Sequence, residues 1–217
     1  LQKNDVLVSF DGKKVTGWPS LVSALQARRA GDKVPVVFYR GREKKSVTME
    51  LSRRALPEVP STAEALAGAM HRTYIETNAE LAQCFEGVSE EDASHRPAPD
   101  AWSAKETVAH LIIGERDNHA WMADLIVGQE RWSDDWTGNI LVRHRATAVV
   151  YSTLPALLEE LGRNQAETVA MLAALPPEFV ARKGSYWRLG YSLLTLADHT
   201  CEHLGQIRAA IEAARKQ

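Results

Sequence analysis

Two histidines four residues apart, His199 and His203, stand in the stretch Asp198-His199-Thr200-Cys201-Glu202-His203-Leu204-Gly205-Gln206-Ile207. On an α-helix that spacing puts both imidazoles on one face, with Cβ atoms about 5–6 Å apart. Two rings so placed can converge on one metal ion, at roughly 2.0–2.1 Å from each nitrogen if the ion is zinc. A third ligand must come from another element. His110, inside the apolar run Val108-Ala109-His110-Leu111-Ile112-Ile113, is the strongest candidate. Three neutral imidazoles leave a coordination position open, the pattern of a catalytic rather than a closed structural site. An ion held in that way is a Lewis acid that lowers the pKa of a bound water or thiol.

The remaining histidines weigh less. His119 follows His110 by nine residues, which at 100° per residue is the opposite face of a helix. His71, on a helix, and His95, in a loop, read as surface or packing residues. His144 is flanked by Arg143 and Arg145, a poor neighbourhood for a cation. Glu106 and Asp117 share the face of His110, and Gln206 follows His203 by three. Each could orient a ligand ring or a bound water, although helix capping is the stronger role for Glu106. Cys201 points away from His199 and reads as packing. Trp121, Trp132, Trp136 and Trp187 read as bundle core, with Trp187 the first to inspect as a pocket wall. There is no Ser-His-Asp order and no CxxC, so the catalytic residues stay unassigned.

Long helices have to position these rings. Apolar spacing predicts helices over 63–85, from Ser103 to about 127, over 141–175 and over 192–215. Ser103 and Glu106 form a capping box. Pro155 predicts a break inside the third region, and Pro176-Pro177 a stop. Loops are expected over 88–100, 129–138 and 178–190. Four long amphipathic helices suggest a four-helix bundle, where metal sites are built from facing side chains in the core. The first fifty residues read differently: a strand over 6–10, a turn at Asp11-Gly12, a helix opening at Pro19 and ending before Gly31, and strands over 34–39 and 45–51. That is a small α+β unit. Two prolines in residues 55–61 mark an extended linker. The expected division is therefore 1–54, 55–61 and 62–217.

Charge follows the same division. Residues 1–56 carry 12 Lys and Arg against 5 Asp and Glu, and the remainder 14 against 23. The acidic larger part argues against nucleic acid as a partner. No apolar run approaches the roughly 18–20 residues of a membrane helix. Two cysteines, Cys84 and Cys201, are too few for a disulfide framework, so reduced thiols and a cytoplasmic location are expected.

Two resemblances extend this reading. Leu1-Gln2-Lys3-Asn4-Asp5-Val6-Leu7-Val8-Ser9-Phe10-Asp11-Gly12-Lys13-Lys14-Val15 resembles the GL-x-x-GD-V-I-x-x-(V/I)-(D/N)-G-x-x-V stretch of bacterial PDZ domains. In that family a carboxylate-binding loop and its strand come before this stretch. The chain as given starts at Leu1, so residues 1–54 are expected to be a partial PDZ-like domain that does not itself capture C-terminal peptides. A protein or peptide partner is implied for a complete PDZ domain. Trp102-Ser103-Ala104-Lys105-Glu106-Thr107-Val108-Ala109-His110-Leu111 resembles the W-S-x-x-E-x-x-x-H-L signature of the DinB-like superfamily, and His199 to Ile207 resembles its closing H-x-x-x-H-x-x-Q-I helix. The resemblance covers about residues 61–217. It implies a four-helix bundle with an up-up-down-down connection and a divalent metal, zinc or nickel, on His110, His199 and His203. Characterised members include thiol-dependent S-transferases and a mycothiol-dependent isomerase. Thiol transfer with a low-molecular-weight thiol and a small-molecule substrate is thus what the resemblance implies. Metal-dependent hydrolysis at the same site, or a PDZ-linked adaptor without enzymatic activity, are the alternatives. A homodimer remains open.

Overall fold

The computed structural model describes residues 1–2, 4–52, 56–129 and 141–216. Trp132 and Trp136, in the loop expected over 129–138, lie outside them. The chain divides into two compact units, Leu1–Leu56 and Pro57–Gln217.

The first unit contains β1 (Val6–Phe10), β2 (Lys13–Lys14), α1 (Trp18–Gln26), β3 (Lys33–Arg40) and β4 (Glu43–Glu50). Its antiparallel sheet runs β2-β1-β3-β4. Asp11 and Gly12 both adopt positive φ, 52° and 74°, as the tight β1–β2 turn requires. Phe10, Ala24, Val34, Val36 and Phe38 form its core. Arg40 ties the start of β1 to β3 through a hydrogen bond to Asp5 at 2.8 Å, which holds the Asp5 carboxyl down at about 2.

The second unit is helical: α2 (Ala63–Cys84), α3 (Glu90–Ser94), α4 (Ala104–Val127), α5 (Leu141–Val150), α6 (Leu154–Ala173), α7 (Pro177–Ala181), α8 (Lys183–Leu194) and α9 (Leu196–Ala214). Thr62 caps α2 by accepting the Ala65 N–H. Ser103 and Glu106 form the expected capping box on α4: Ser103 Oγ accepts the Glu106 N–H at 3.1 Å, and the Glu106 carboxylate accepts the Ser103 N–H at 3.0 Å. Pro155 falls in the first turn of α6, behind the Thr153 cap, so the break expected there is a helix start.

Two apolar clusters fill the bundle. One joins Leu81 of α2 and Phe85, its C-cap, to Val108 and Ile112 of α4, Leu157 and Leu161 of α6, and Leu204 and Ile207 of α9. The other joins Leu66 and Met70 to Met122 and Leu125, Leu172, and Leu189 and Leu193 of α8. Each fully buried Leu contributes about 1.5–3 kcal/mol through the apolar surface removed from water. The membership also fixes the directions. The start of α2 meets the ends of α4 and α6 and the start of the α8–α9 arm, so the order is up-down-down-up. This corrects the up-up-down-down connection that the resemblance implies. The two parallel neighbours α4 and α6 need a long crossover, and α5 lies within it.

A second correction concerns residues 178–190, expected as a loop. They hold α7 and most of α8. Gly184 and Gly190 weaken the helical signal, but Tyr186, Leu189, Gly190 and Leu193 repeat at helical spacing and are buried. A Cβ at Gly190 would overlap Val59 Cγ1, so the glycine lets the chain entering the bundle lie directly on α8. The final helix, expected from 192, begins after a break at Thr195, whose hydroxyl bonds back to the Tyr191 and Ser192 carbonyls. Among the described residues no helix is long and apolar enough to cross a membrane.

Candidate metal centre

His110 is the seventh residue of α4, and His199 and His203 lie one turn apart in the first half of α9. Packing of α9 on α4 brings the three rings together. His203 Nε2 stands 2.9 Å from His199 Nε2, and His110 Nε2 stands 3.5 Å from it. One nitrogen from each of the three falls within 4.8 Å of the others. His110 and His203 are buried, each 7% exposed, whereas His199 faces solvent.

The opposite ring nitrogens are held as well. The Gln206 carboxamide oxygen accepts the His203 Nδ1–H at 2.9 Å, one turn along α9. His110 Nδ1 faces His144 Nε2 at 3.4 Å. The Gln206 contact leaves the Nε2 lone pair of His203 for the common centre. Burial and the neighbouring His203 push the His199 pKa down; burial also lowers that of His203, with His144 adding a smaller push and Gln206 and Glu202 opposing it. Both shifts favour the neutral ring, the form in which imidazole ligates.

Trp102 covers this group. Its ring centroid lies 5.0 Å from His110, 4.5 Å from His144 and 6.4 Å from His203. The tryptophan belongs to the W-S pair that opens α4, and its spacing to His110 carries the only sequence signal for this contact. Trp187 lies elsewhere: 45% exposed, stacked on Tyr191, in a cavity of about 510 Å³ with Val59, Pro60 and Lys183. Another cavity of about 570 Å³ lies between Arg96, Lys105, Glu106 and Arg145. Neither cavity is lined by a histidine of the group. Trp121 is half-buried against the second apolar cluster.

The other candidates separate clearly. Burial would raise the Glu106 carboxyl, but the Arg96 guanidinium and the Ser103 N–H outweigh it and hold the group low. Asp117 takes two hydrogen bonds from Arg143, at 2.8 and 2.6 Å. Both carboxylates are committed to cations rather than to the histidines. His119 points into α6, with Nε2 2.8 Å from Thr168 Oγ1. His71 is exposed and His95 half-buried. Cys201, expected to pack, is exposed, because α9 turns only its His203, Leu204 and Ile207 side inward. His144 is not one of the three grouped rings. It is completely buried although arginines flank it, since neighbours in a helix diverge by 100°. Arg143 is drawn to Asp117, and Arg145 lies 4.0 Å from Glu106.

A second polar group sits in the bundle interior, between the two apolar clusters. Tyr74 Oη is 2.9 Å from both carboxyl oxygens of buried Glu115, and Thr168 Oγ1 is 2.8 Å from one of them. Burial raises the pKa of Glu115 above the ordinary carboxyl range, and the two hydroxyls only partly offset it. It also raises that of Tyr74.

A four-helix bundle with a three-histidine group that could hold a metal ion is the class that fold and site define. A family model for the DinB superfamily matches residues 73–207, which include all three histidines, and the chain belongs to that superfamily. A PDZ-domain model matches residues 1–51. No curated protein and no solved structure matches the chain.

Proposed function

We propose that the helical unit is a metal-dependent enzyme that transfers a low-molecular-weight thiol to a small-molecule substrate, with one divalent ion, zinc or nickel, on His110, His199 and His203. The observation that carries this reading is the spacing of the three Nε2 atoms. Two nitrogens on one tetrahedral zinc, each at roughly 2.0–2.1 Å, stand about 3.3 Å apart. Here His199 Nε2 stands 2.9 Å from His203 Nε2 and 3.5 Å from His110 Nε2. Such an ion would supply Lewis acidity, which favours the thiolate form of a thiol at neutral pH.

The chain's own residues do the rest. Gln206 fixes the His203 ring, as the outer partners of metal-binding histidines do. Trp102 packs against His110, His144 and His203, and keeps water from that side of the group. His199, the one exposed residue of the three although its ring is partly enclosed, marks the side from which a substrate would approach. The test is turnover of electrophilic substrates with low-molecular-weight thiols, before and after chelation. Thiol-dependent turnover that disappears on chelation and returns with zinc or nickel supports the reading. Turnover indifferent to chelation overturns it, and turnover without thiol would assign the site to hydrolysis.

For the first unit, the PDZ match supports a protein-binding role. An adaptor reading of the whole chain would be favoured if metal-loaded protein turns over none of these substrates but retains a partner through residues 1–51.

A further inference from the structure

The group around His110 contains a fourth imidazole that the ligand set does not use. His144 comes from α5, the helix in the crossover between α4 and α6. It is completely buried, with its Nε2 3.4 Å from His110 Nδ1. That places it behind His110, on the side away from the point where the three Nε2 atoms meet. Trp102 packs edge-on against it at 85°, and the two imidazole planes meet at 79°. The helix carrying it is fastened to α4 by the two Arg143–Asp117 hydrogen bonds.

A neutral imidazole carries one N–H, and a histidine that offers Nε2 to a metal must carry that hydrogen on Nδ1. The hydrogen needs an acceptor when it is buried, because an unmade buried donor costs its full desolvation penalty. Metal-binding histidines ordinarily give it to a carboxylate, a carbonyl or a water. On α4, Glu106 and Asp117 are held by arginines, and Glu115, five residues beyond His110, takes the Tyr74 and Thr168 hydroxyls. His144 Nε2 stands where the acceptor is required.

We propose that His144 is a positioning residue for the histidine triad: its Nε2 accepts the Nδ1–H of His110 and so keeps the Nε2 lone pair of His110 aimed at His199 and His203. The crossover helix thereby becomes part of the site, and Trp102 holds the acceptor ring in place. The inference rests on the metal-binding reading for its consequence but not for its geometry, and its test separates the two.

The test compares His144→Phe and His144→Leu, which keep bulk without an acceptor, with His144→Gln, whose carboxamide oxygen can accept. Two readings are taken on folded protein at one fixed pH: zinc affinity by competition with a chromophoric chelator, and the tautomer of His110 in metal-free protein from imidazole ¹⁵N shifts. The acceptor-free variants are expected to keep one zinc per chain while binding it roughly 10–100-fold more weakly. They are also expected to lose the Nδ1–H tautomer of His110. His144→Gln is expected to restore both. Unchanged affinity and tautomer in the acceptor-free variants would overturn the proposal. So would a Gln variant as impaired as Phe, which would make His144 a packing residue, or loss of zinc as complete as in His110→Ala, which would make it a ligand. If the parent protein binds no zinc, the metal reading fails, and the tautomer comparison alone still decides the role of His144.

Discussion

Gln206 stands one helical turn beyond His203 and accepts its Nδ1–H at 2.9 Å, so the residue that orients the ligand and the ligand itself share one rigid helix. Replacing Gln206 with Leu removes the acceptor while keeping the bulk. The expected outcome is zinc affinity lower by about 10–100-fold with stoichiometry unchanged. Competition against a chromophoric chelator measures it. An unaltered affinity would mean that the contact does not orient the ring.

Acid should weaken the metal-free fold through the same histidines. Burial and nearby imidazole groups hold His199 and His203 below the ordinary imidazole value. Just below about pH 6.5 the unfolded chain therefore binds more protons than the folded one. Stability present above that pH is lost as the pH falls towards the folded values. Thermal melts of metal-free protein between pH 7.5 and 5.5 should show a steeper decline for the parent than for a variant with both residues changed to Gln. Equal slopes would contradict the lowered pKa values. Metal occupancy should fall in the same direction, since protons compete for the same nitrogens.

Glu115 acts with the opposite sign. Burial raises its pKa, so the folded chain holds a proton that the unfolded chain gives up as pH rises above the ordinary carboxyl range. Its burial therefore costs more stability at neutral pH than in acid. Glu115→Gln keeps an oxygen for the Tyr74 hydroxyl and a donor for Thr168 and carries no charge. It should melt above the parent at pH 7, with the gap closing as the pH falls through the carboxyl range. A variant less stable at pH 7, or a gap that does not change with pH, would count against the raised pKa.

Gly190→Ala should be destabilising. Its Cβ would overlap Val59, and overpacking of this kind costs about 1–3 kcal/mol. For a chain of this size each kcal/mol lowers Tm by about 2–4 °C. Adding Val59→Ala should recover part of the loss, because the two sites are in contact. An additive double variant would show that the overlap is relieved some other way.

The sequence reveals those parts of the site that depend on helix periodicity. His199 and His203 must share a face at a spacing of four, Ser103 and Glu106 must cap the helix that carries His110, and the charge change near residue 56 coincides with the border of the two units. What it conceals depends on tertiary packing. The arginines beside His144 suggest a solvated position, yet each leaves along its own direction to its own carboxylate, and the histidine between them is buried. Trp102 is visible as the residue before a cap, but nothing local says that its ring will lie over three imidazoles. The helix α8 is hidden by two glycines, one of which is needed for the contact with Val59. Chain direction is likewise absent from the periodicity and follows only from which apolar residues meet.

The most direct test of the account is metal content per chain in four proteins: the parent, His110→Ala, His203→Ala and His119→Ala. His119 lies on the same helix as His110 but bonds to Thr168 of α6. Grown with zinc or nickel and freed of loosely bound ions, the parent and His119→Ala should each retain about one ion. His110→Ala and His203→Ala should retain little, since losing one of three ligands costs far more affinity than the roughly 10–100-fold of an outer-partner change. The same amount of metal in all four proteins, or none in the parent, would contradict the account.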